Sequence, residues 1–376
     1  MDCNNSRETL STTLSSLPDE EIKESDNIPD TVMYRSEEDN ISLASSISTL
    51  DCDFESHIHD DILESFRTNV QRKIILFFNS FPKIVNFEHL PEWLKDNQFI
   101  TSGYREPSDS IKNVFLSLTQ YHNETINIWS HLLGSLIFIS MCLWFGTRND
   151  LLIPLNTKLI FLPFFIGAIT CMSCSALFHL FLFKSQKFGN FFAKLDYSGI
   201  ALLIIGSFIP WIYFTFMCHK HLVILYITMI VIMGILAIIV SLFDKFAEPK
   251  YRSLRAGVFL TMGLSAIVPG IHLLLVESWE IIVEDELLVW NIIMGCMYVV
   301  GALQYALRFP ERCCMGKFDY LFHSHQFFHV FVVMAAFLHF FGLCRVAMIK
   351  MGSGSCQEQE IESGLTVWKK WFGTFG

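Results

Sequence analysis

Five side chains carry the chemistry open to this sequence. His325 and His329 stand four residues apart in SHQFFHV. Ser175 and His179 bracket SALFH with the same spacing, and Asp196 lies in KLDYSG. On a helix, positions i and i+4 share one face. His325 and His329 therefore present two imidazoles together, and Ser175 lies one turn from His179. With His179 as a third nitrogen, the set matches the three protein ligands plus water of an open, catalytic zinc site. Zinc lowers the pKa of such a water to about 7. Asp196 is the residue to accept its proton, and Ser175 the one to hydrogen-bond the water or a substrate carbonyl. The competing reading has no metal: buried histidines also hydrogen-bond across helices. Four other histidines compete less well. His131 is either a ligand or a packing residue, His323 points away from His325, and His272 and His339 lie toward the far ends of their segments. The CxxC of Cys171 and Cys174 has no second pair and reads as small packing residues. Cys313 and Cys314 read as reduced or acylated thiols.

These groups need elements to hold them. Seven apolar runs have the roughly 20-residue length that a membrane crossing requires: about 127–147, 158–182, 195–217, 221–243, 254–276, 287–307 and 323–345. Residues 159–183, 197–218, 222–243 and 287–307 contain no Asp, Glu, Lys or Arg. The expected fold is an all-α seven-transmembrane helix bundle. Basic residues mark the cytosolic loops. Lys184, Lys187 and Lys194 follow the second run; Lys245, Lys250, Arg252 and Arg255 follow the fourth; Arg308, Arg312 and Lys317 follow the sixth. The alternate loops carry only Arg148, only Lys220, or no basic residue. The N-terminus is therefore expected in the cytosol and the C-terminus outside, the reverse of a G-protein-coupled receptor. In that topology His179, Asp196, His325 and His329 share one cytosolic layer, with Asp196 opening the third run. The sequons at Asn4, Asn40 and Asn123 fall on the cytosolic side and are expected to stay unglycosylated.

Composition supports a membrane class. The 376 residues are 52% hydrophobic and 17% charged, against about 25% charged for a typical soluble domain. The net charge is −10, with no basic stripe for nucleic acid. The charge is uneven: residues 1–65 hold 17 acidic and 3 basic residues. Residues 1–62 are expected to form a disordered acidic cytosolic tail, and 63–126 a juxtamembrane region. In the latter, Leu63, Phe66, Val70, Ile74, Phe77, Phe78 and Phe81 recur at helical spacing beside Arg67, Arg72 and Lys73. Such an amphipathic helix lies on a membrane surface or packs on the domain after it. Residues 127–345 form the transmembrane domain, and 346–376 an extracellular tail.

The stretches LPEWLKDNQFITSGYR, HNETINIWSHLLG, SALFH, KLDYSGIALLIIGSFIPW, DKFAEPKYRSLRAGVF, RFPERCCMGKFD and SHQFFHV resemble the progestin and adipoQ receptor family, closest to its adiponectin-receptor branch. The resemblance runs from about residue 88 to 345. It implies a seven-span protein with zinc on His179, His325 and His329, and with Asp196 and Ser175 as catalytic partners. His131 falls in a family motif that supplies no ligand. The resemblance further implies a role in lipid metabolism and membrane homeostasis at the plasma membrane, with cleavage of ceramide to sphingosine and free fatty acid. The alternative is a non-catalytic hormone receptor or membrane-fluidity sensor in which zinc clamps spans two and seven. Expected partners are membrane lipids, an extracellular protein hormone, a cytosolic adaptor at the acidic tail and a second copy of the chain.

Overall fold

A computed structural model of the chain describes residues 63–74, 81–148, 154–276, 282 and 288–352. The acidic tail 1–62, the acidic stretch between the fifth and sixth runs and residues 353–376 lie outside the described residues. Asn4 and Asn40 do too. The chain divides into two units, Met1–Asn79 and Ser80–Gly376.

In the first unit, residues 63–74 form a helix whose Leu63, Phe66, Val70 and Ile74 side chains are exposed. Those four lie within one face at about 100° per residue.

The second unit carries seven helices long and apolar enough to cross a membrane: span 1 Thr125–Thr147, span 2 Leu159–Phe181, span 3 Gln186–Thr215, span 4 Lys220–Ser241, span 5 Pro249–Leu275, span 6 Val289–Leu307 and span 7 Ser324–Gly352. Within a bilayer the helix satisfies every backbone group internally, so charge-free runs fold this way. Several boundaries differ from the sequence reading, among them the start of span 5 at Pro249 rather than about 254. Span 3 begins at Gln186, capped by Ser185, so Asp196 sits three turns inside it rather than at its start. The reason is that KFGNFFAKL is amphipathic: Phe188, Phe191 and Phe192 continue the helix beyond the apolar run. Span 7 likewise continues to Gly352. Span 5 breaks after Leu264 and resumes at Ile267, just before Pro269, which has no N–H for the preceding turn.

Spans 2 and 3 approach most closely, through glycines. A Cβ added at Gly167 would stand 2.6 Å from the Leu202 carbonyl, and one at Gly199 would stand 2.9 Å from Cys171 Cα. Gly206 meets the Pro163 carbonyl in the same way. Small residues let membrane helices pack backbone to backbone. Cys171 is buried in this contact with a free thiol, as its reading as a packing residue expects.

At one end of spans 1, 2, 3 and 7 the core is aromatic, built from Phe138, Phe145, Phe161, Phe164, Phe165, Phe214 and Phe340. At the other, residues 81–124 fold back over the helix ends. Two short strands, β1 (Ile84–Val85) and β2 (Tyr104–Arg105), pair antiparallel with Ile84 opposite Arg105. A second apolar cluster of Leu90, Leu94, Ile100, Tyr104, Val114, Ile128, Leu180 and Phe183 glues this segment to spans 1 and 2.

Candidate metal centre

Span 2 ends two residues after His179, and span 7 begins one residue before His325, so His179 and the pair His325 and His329 all reach the polar end of the bundle. There, one ring nitrogen from each of His179, His325 and His329 lies within 4.8 Å of the others. The Nε2 atoms of His179 and His325 are 3.0 Å apart. The three ring-centroid separations are 4.9, 4.8 and 4.7 Å. His179 and His329 are buried and His325 is partly so. The predicted trio thus meets at one point, with three nitrogens in reach of one ion.

The other ring nitrogens decide which faces are free. His179 Nδ1 is 2.7 Å from Glu124 Oε2. His329 Nδ1 is 3.1 Å from the Asn127 carbonyl, with Ser130 Oγ at 3.4 Å. A carboxylate and a carbonyl only accept, so each Nδ1 must donate and each Nε2 keeps its lone pair for a metal. His325 differs: its buried Nδ1 has no partner among the described residues. These donors suit a metal ion of the zinc type, since a neutral imidazole whose far N–H is held by an oxygen is the usual ligand state.

Asp196 is buried on span 3 and borders the same cavity as His179 and His325. Ser175, buried on span 2 one turn before His179, lies near its carboxylate. The cavity holds about 170 Å³ and is also lined by Arg252, Arg255 and Tyr305. Arg252 stacks on the Tyr305 ring at 4.1 Å and reaches Asp96 at 3.4 Å. Asp96 belongs to the segment that folds over the site.

The remaining histidines occupy other roles. His131 lies flat on His329, centroids 3.7 Å apart and 16° from parallel, and joins no metal group. His323 Nε2 pairs with the Asn123 carbonyl at 3.2 Å. Tyr226 Oη and His272 Nδ1 are 2.6 Å apart, and His339 pairs with the Ser207 carbonyl at 3.0 Å.

Several buried polar residues escaped the sequence reading. Arg105 donates from Nη2 to the His179 carbonyl at 2.6 Å and from Nη1 to the Leu180 carbonyl at 3.3 Å. It thereby closes the free carbonyls at the end of span 2. Burial lowers its pKa to about 9, partly offset by Glu124. For Glu124, burial pushes the carboxyl up. His179 and the Asn127 amide, which both hydrogen-bond it, outweigh that and hold it well below the carboxylate range. His122 takes the Glu124 N–H on Nδ1 and donates from Nε2 to the Ser117 carbonyl at 3.1 Å, an arrangement that requires a neutral ring. Burial, then Arg105, lowers its pKa to about 3. Glu311, fully buried, accepts from Asn97 Nδ2 at 3.1 Å and from the Ser324 N–H at 2.8 Å. Asp319 accepts from the Thr101 N–H at 2.8 Å and from Ser102 Oγ at 2.7 Å. These two carboxylates fasten the loop before span 7 to the segment over the cavity. The only signal for them was a carboxylate in an otherwise basic loop. Asn123 is buried.

Residues 119–340 match the haemolysin-III-related family model. The chain is 46% identical over 274 residues to the adiponectin receptor protein of Drosophila melanogaster, covering 73% of this chain and 62% of that protein. It is 45% identical over 269 residues to progestin and adipoQ receptor-like protein 1 of Caenorhabditis elegans, covering 72% and 62%. Heptahelical transmembrane protein 3 of Arabidopsis thaliana is 38% identical over 312 residues, covering 73% and 90%. The chain spans about 62% of the length of the two animal relatives.

Proposed function

The chain belongs to the haemolysin-III-related, progestin and adipoQ receptor family, and from that premise we propose that it is a zinc-dependent lipid-amide hydrolase of the plasma membrane, cleaving ceramide to sphingosine and a fatty acid. One observation carries this reading. One ring nitrogen from each of His179, His325 and His329 converges on one point, and His179 and His325 line a cavity that the buried Asp196 carboxylate also borders.

Zinc on His179, His325 and His329 would polarise the amide carbonyl and acidify a water at neutral pH. Asp196 takes one proton of the attacking water and hands it to the amide nitrogen as the C–N bond breaks. The hydroxyl stays on the acyl carbon, so the products are a carboxylic acid and an amine. Ser175 orients the Asp196 carboxylate for both transfers. The segment 81–124 covers the site and limits bulk water.

Cysteine chemistry supports the proposed orientation. Cys218, between spans 3 and 4, is disulfide-bonded. Cys313 and Cys314, between spans 6 and 7, are exposed free thiols. Disulfides belong to oxidising compartments, which supports a turn at Cys218 on the outer side and a metal layer toward the cytosol. Reception of an extracellular protein hormone, as the name of the fly relative suggests, fits the outer face.

Purified protein in detergent with bound zinc should release sphingosine from a defined ceramide. His329→Ala should release none. Asp196→Asn should keep its zinc yet turn nothing over. A zinc-loaded wild type that releases no sphingosine would sink the hydrolase. Zinc would then be a clamp between spans 2 and 7, visible as a lower Tm on its removal.

A further inference from the structure

Span 1 supplies no candidate ligand, yet its first turn touches two of the three. Glu124 occupies the N-cap position of span 1 but makes no capping hydrogen bond to that helix's N–H groups. Its Oε2 instead meets two side chains, His179 Nδ1 at 2.7 Å and Asn127 Nδ2 at 2.6 Å. Asn127 in turn offers its carbonyl to His329 Nδ1 at 3.1 Å. His131, two turns along span 1 from Glu124, stacks on the His329 ring. A residue kept only to start the helix would cap it. This one spends its acceptor capacity on the far nitrogen of a ligand.

We infer that Glu124 is a positioning residue of the metal centre. Its carboxylate holds His179 as the Nδ1–H tautomer, aims Nε2 at the ion and makes that nitrogen a stronger donor. This rests on the metal reading above and adds to it a residue from a span that contributes no ligand. Carboxylates or carbonyls behind a ligating histidine set its tautomer and orientation, and their loss costs about 10–100-fold in metal affinity. Asn127 places Glu124, because the amide N–H and the imidazole N–H share one carboxylate oxygen. The inference also separates the ligands. His179 and His329 are braced from span 1, and His325, with its Nδ1 unpartnered among the described residues, is not.

The test uses full-length protein in detergent, stripped of metal and titrated with zinc against a competing chelator, then with cobalt as a spectroscopic probe. Glu124→Gln keeps an acceptor without charge and should weaken zinc about 10-fold. Glu124→Ala should approach 100-fold and shift the cobalt ligand-field bands, while Glu124→Asp should recover part of the loss. Asp319→Asn, which removes a buried carboxylate bonded to Thr101 and Ser102 rather than to a ligand's neighbour, should lower the Tm and leave zinc affinity unchanged. Folded Glu124→Gln and Glu124→Ala proteins with wild-type affinity and an unchanged cobalt spectrum would overturn the inference. A second measurement needs no variant to fold: histidine ¹⁵N shifts of the metal-free wild type should show His179 protonated on Nδ1, and protonation on Nε2 would overturn it. A wild type that binds no zinc would refute the metal reading, and the ¹⁵N shifts would still decide whether Glu124 sets the tautomer.

Discussion

The same four helices, spans 1, 2, 3 and 7, end in two unlike layers. One end is a stack of phenylalanines: Phe145 lies 4.8 Å from Phe161 and 5.4 Å from Phe340, and Phe161 lies 5.4 Å from Phe214. The other is a layer of imidazoles and carboxylates whose spacing is set by hydrogen bonds. Between membrane helices there is little hydrophobic drive, because lipid is as apolar as the side chains. The aromatic layer stabilises through many small dispersion contacts, and no single ring there has one obligatory partner. In the polar layer an unpartnered buried group costs several kcal/mol, so each contact fixes a direction. The aromatic end holds the bundle together, and the polar end decides where three nitrogens point.

Substitutions at the two ends should therefore fail differently. The largest effect is expected from His329→Ala, which should remove zinc from the purified protein altogether while the helical circular dichroism stays. Zinc retained at wild-type stoichiometry would take His329 out of the site. Phe161→Ala should cost about 3 kcal/mol of stability, as expected for a buried large-to-small change, with zinc stoichiometry intact. If it released the metal instead, the two layers would not be separable.

Acid should act from the polar side. His122 is held near a pKa of about 3 by burial and then Arg105, against about 6.5 when unfolded. Above pH 6.5 both states leave it neutral and it adds no pH dependence. Below pH 6.5 the unfolded chain takes up a proton that the folded chain refuses. Stability then falls by up to about 1.4 kcal/mol per pH unit as the pH drops toward 3. His122→Gln should flatten the Tm profile between pH 7 and 5 by that share; parallel profiles would assign the slope to other groups. The smallest effect is expected from Ser135→Ala. It deletes the 2.7 Å hydrogen bond to Ser173 between spans 1 and 2 and should cost about 0.6 kcal/mol, typical of such bonds in membranes, in a denaturation titration.

The aromatic end and the spans were legible in the sequence because apolar length is a local property. So was the histidine trio, since i, i+4 spacing survives folding unchanged. What stayed hidden is whatever pairs across the chain. Glu124 meets His179 across 55 residues, Arg105 meets His179 across 74, and Asp319 meets Thr101 across 218. No periodicity encodes such partners. The start of span 3 was misplaced for a different reason. Hydropathy marks where lipid begins, and Lys187 and Lys194 belong to a helix that continues beyond it.

The glycine contact between spans 2 and 3 has a mechanical meaning. With Gly167, Gly199 and Gly206 set against backbone, the two helices leave no slack to slide and travel as one stiff beam. His179 and Asp196, one on each, keep a constant spacing while the rest of the protein breathes. Spans 5 and 6 are at the other extreme, with few of their residues fully buried in the bundle. The cavity thus has a stiff wall, spans 2 and 3, and a wall of sparsely buried helices, with Arg252 and Arg255 on span 5 and Tyr305 on span 6.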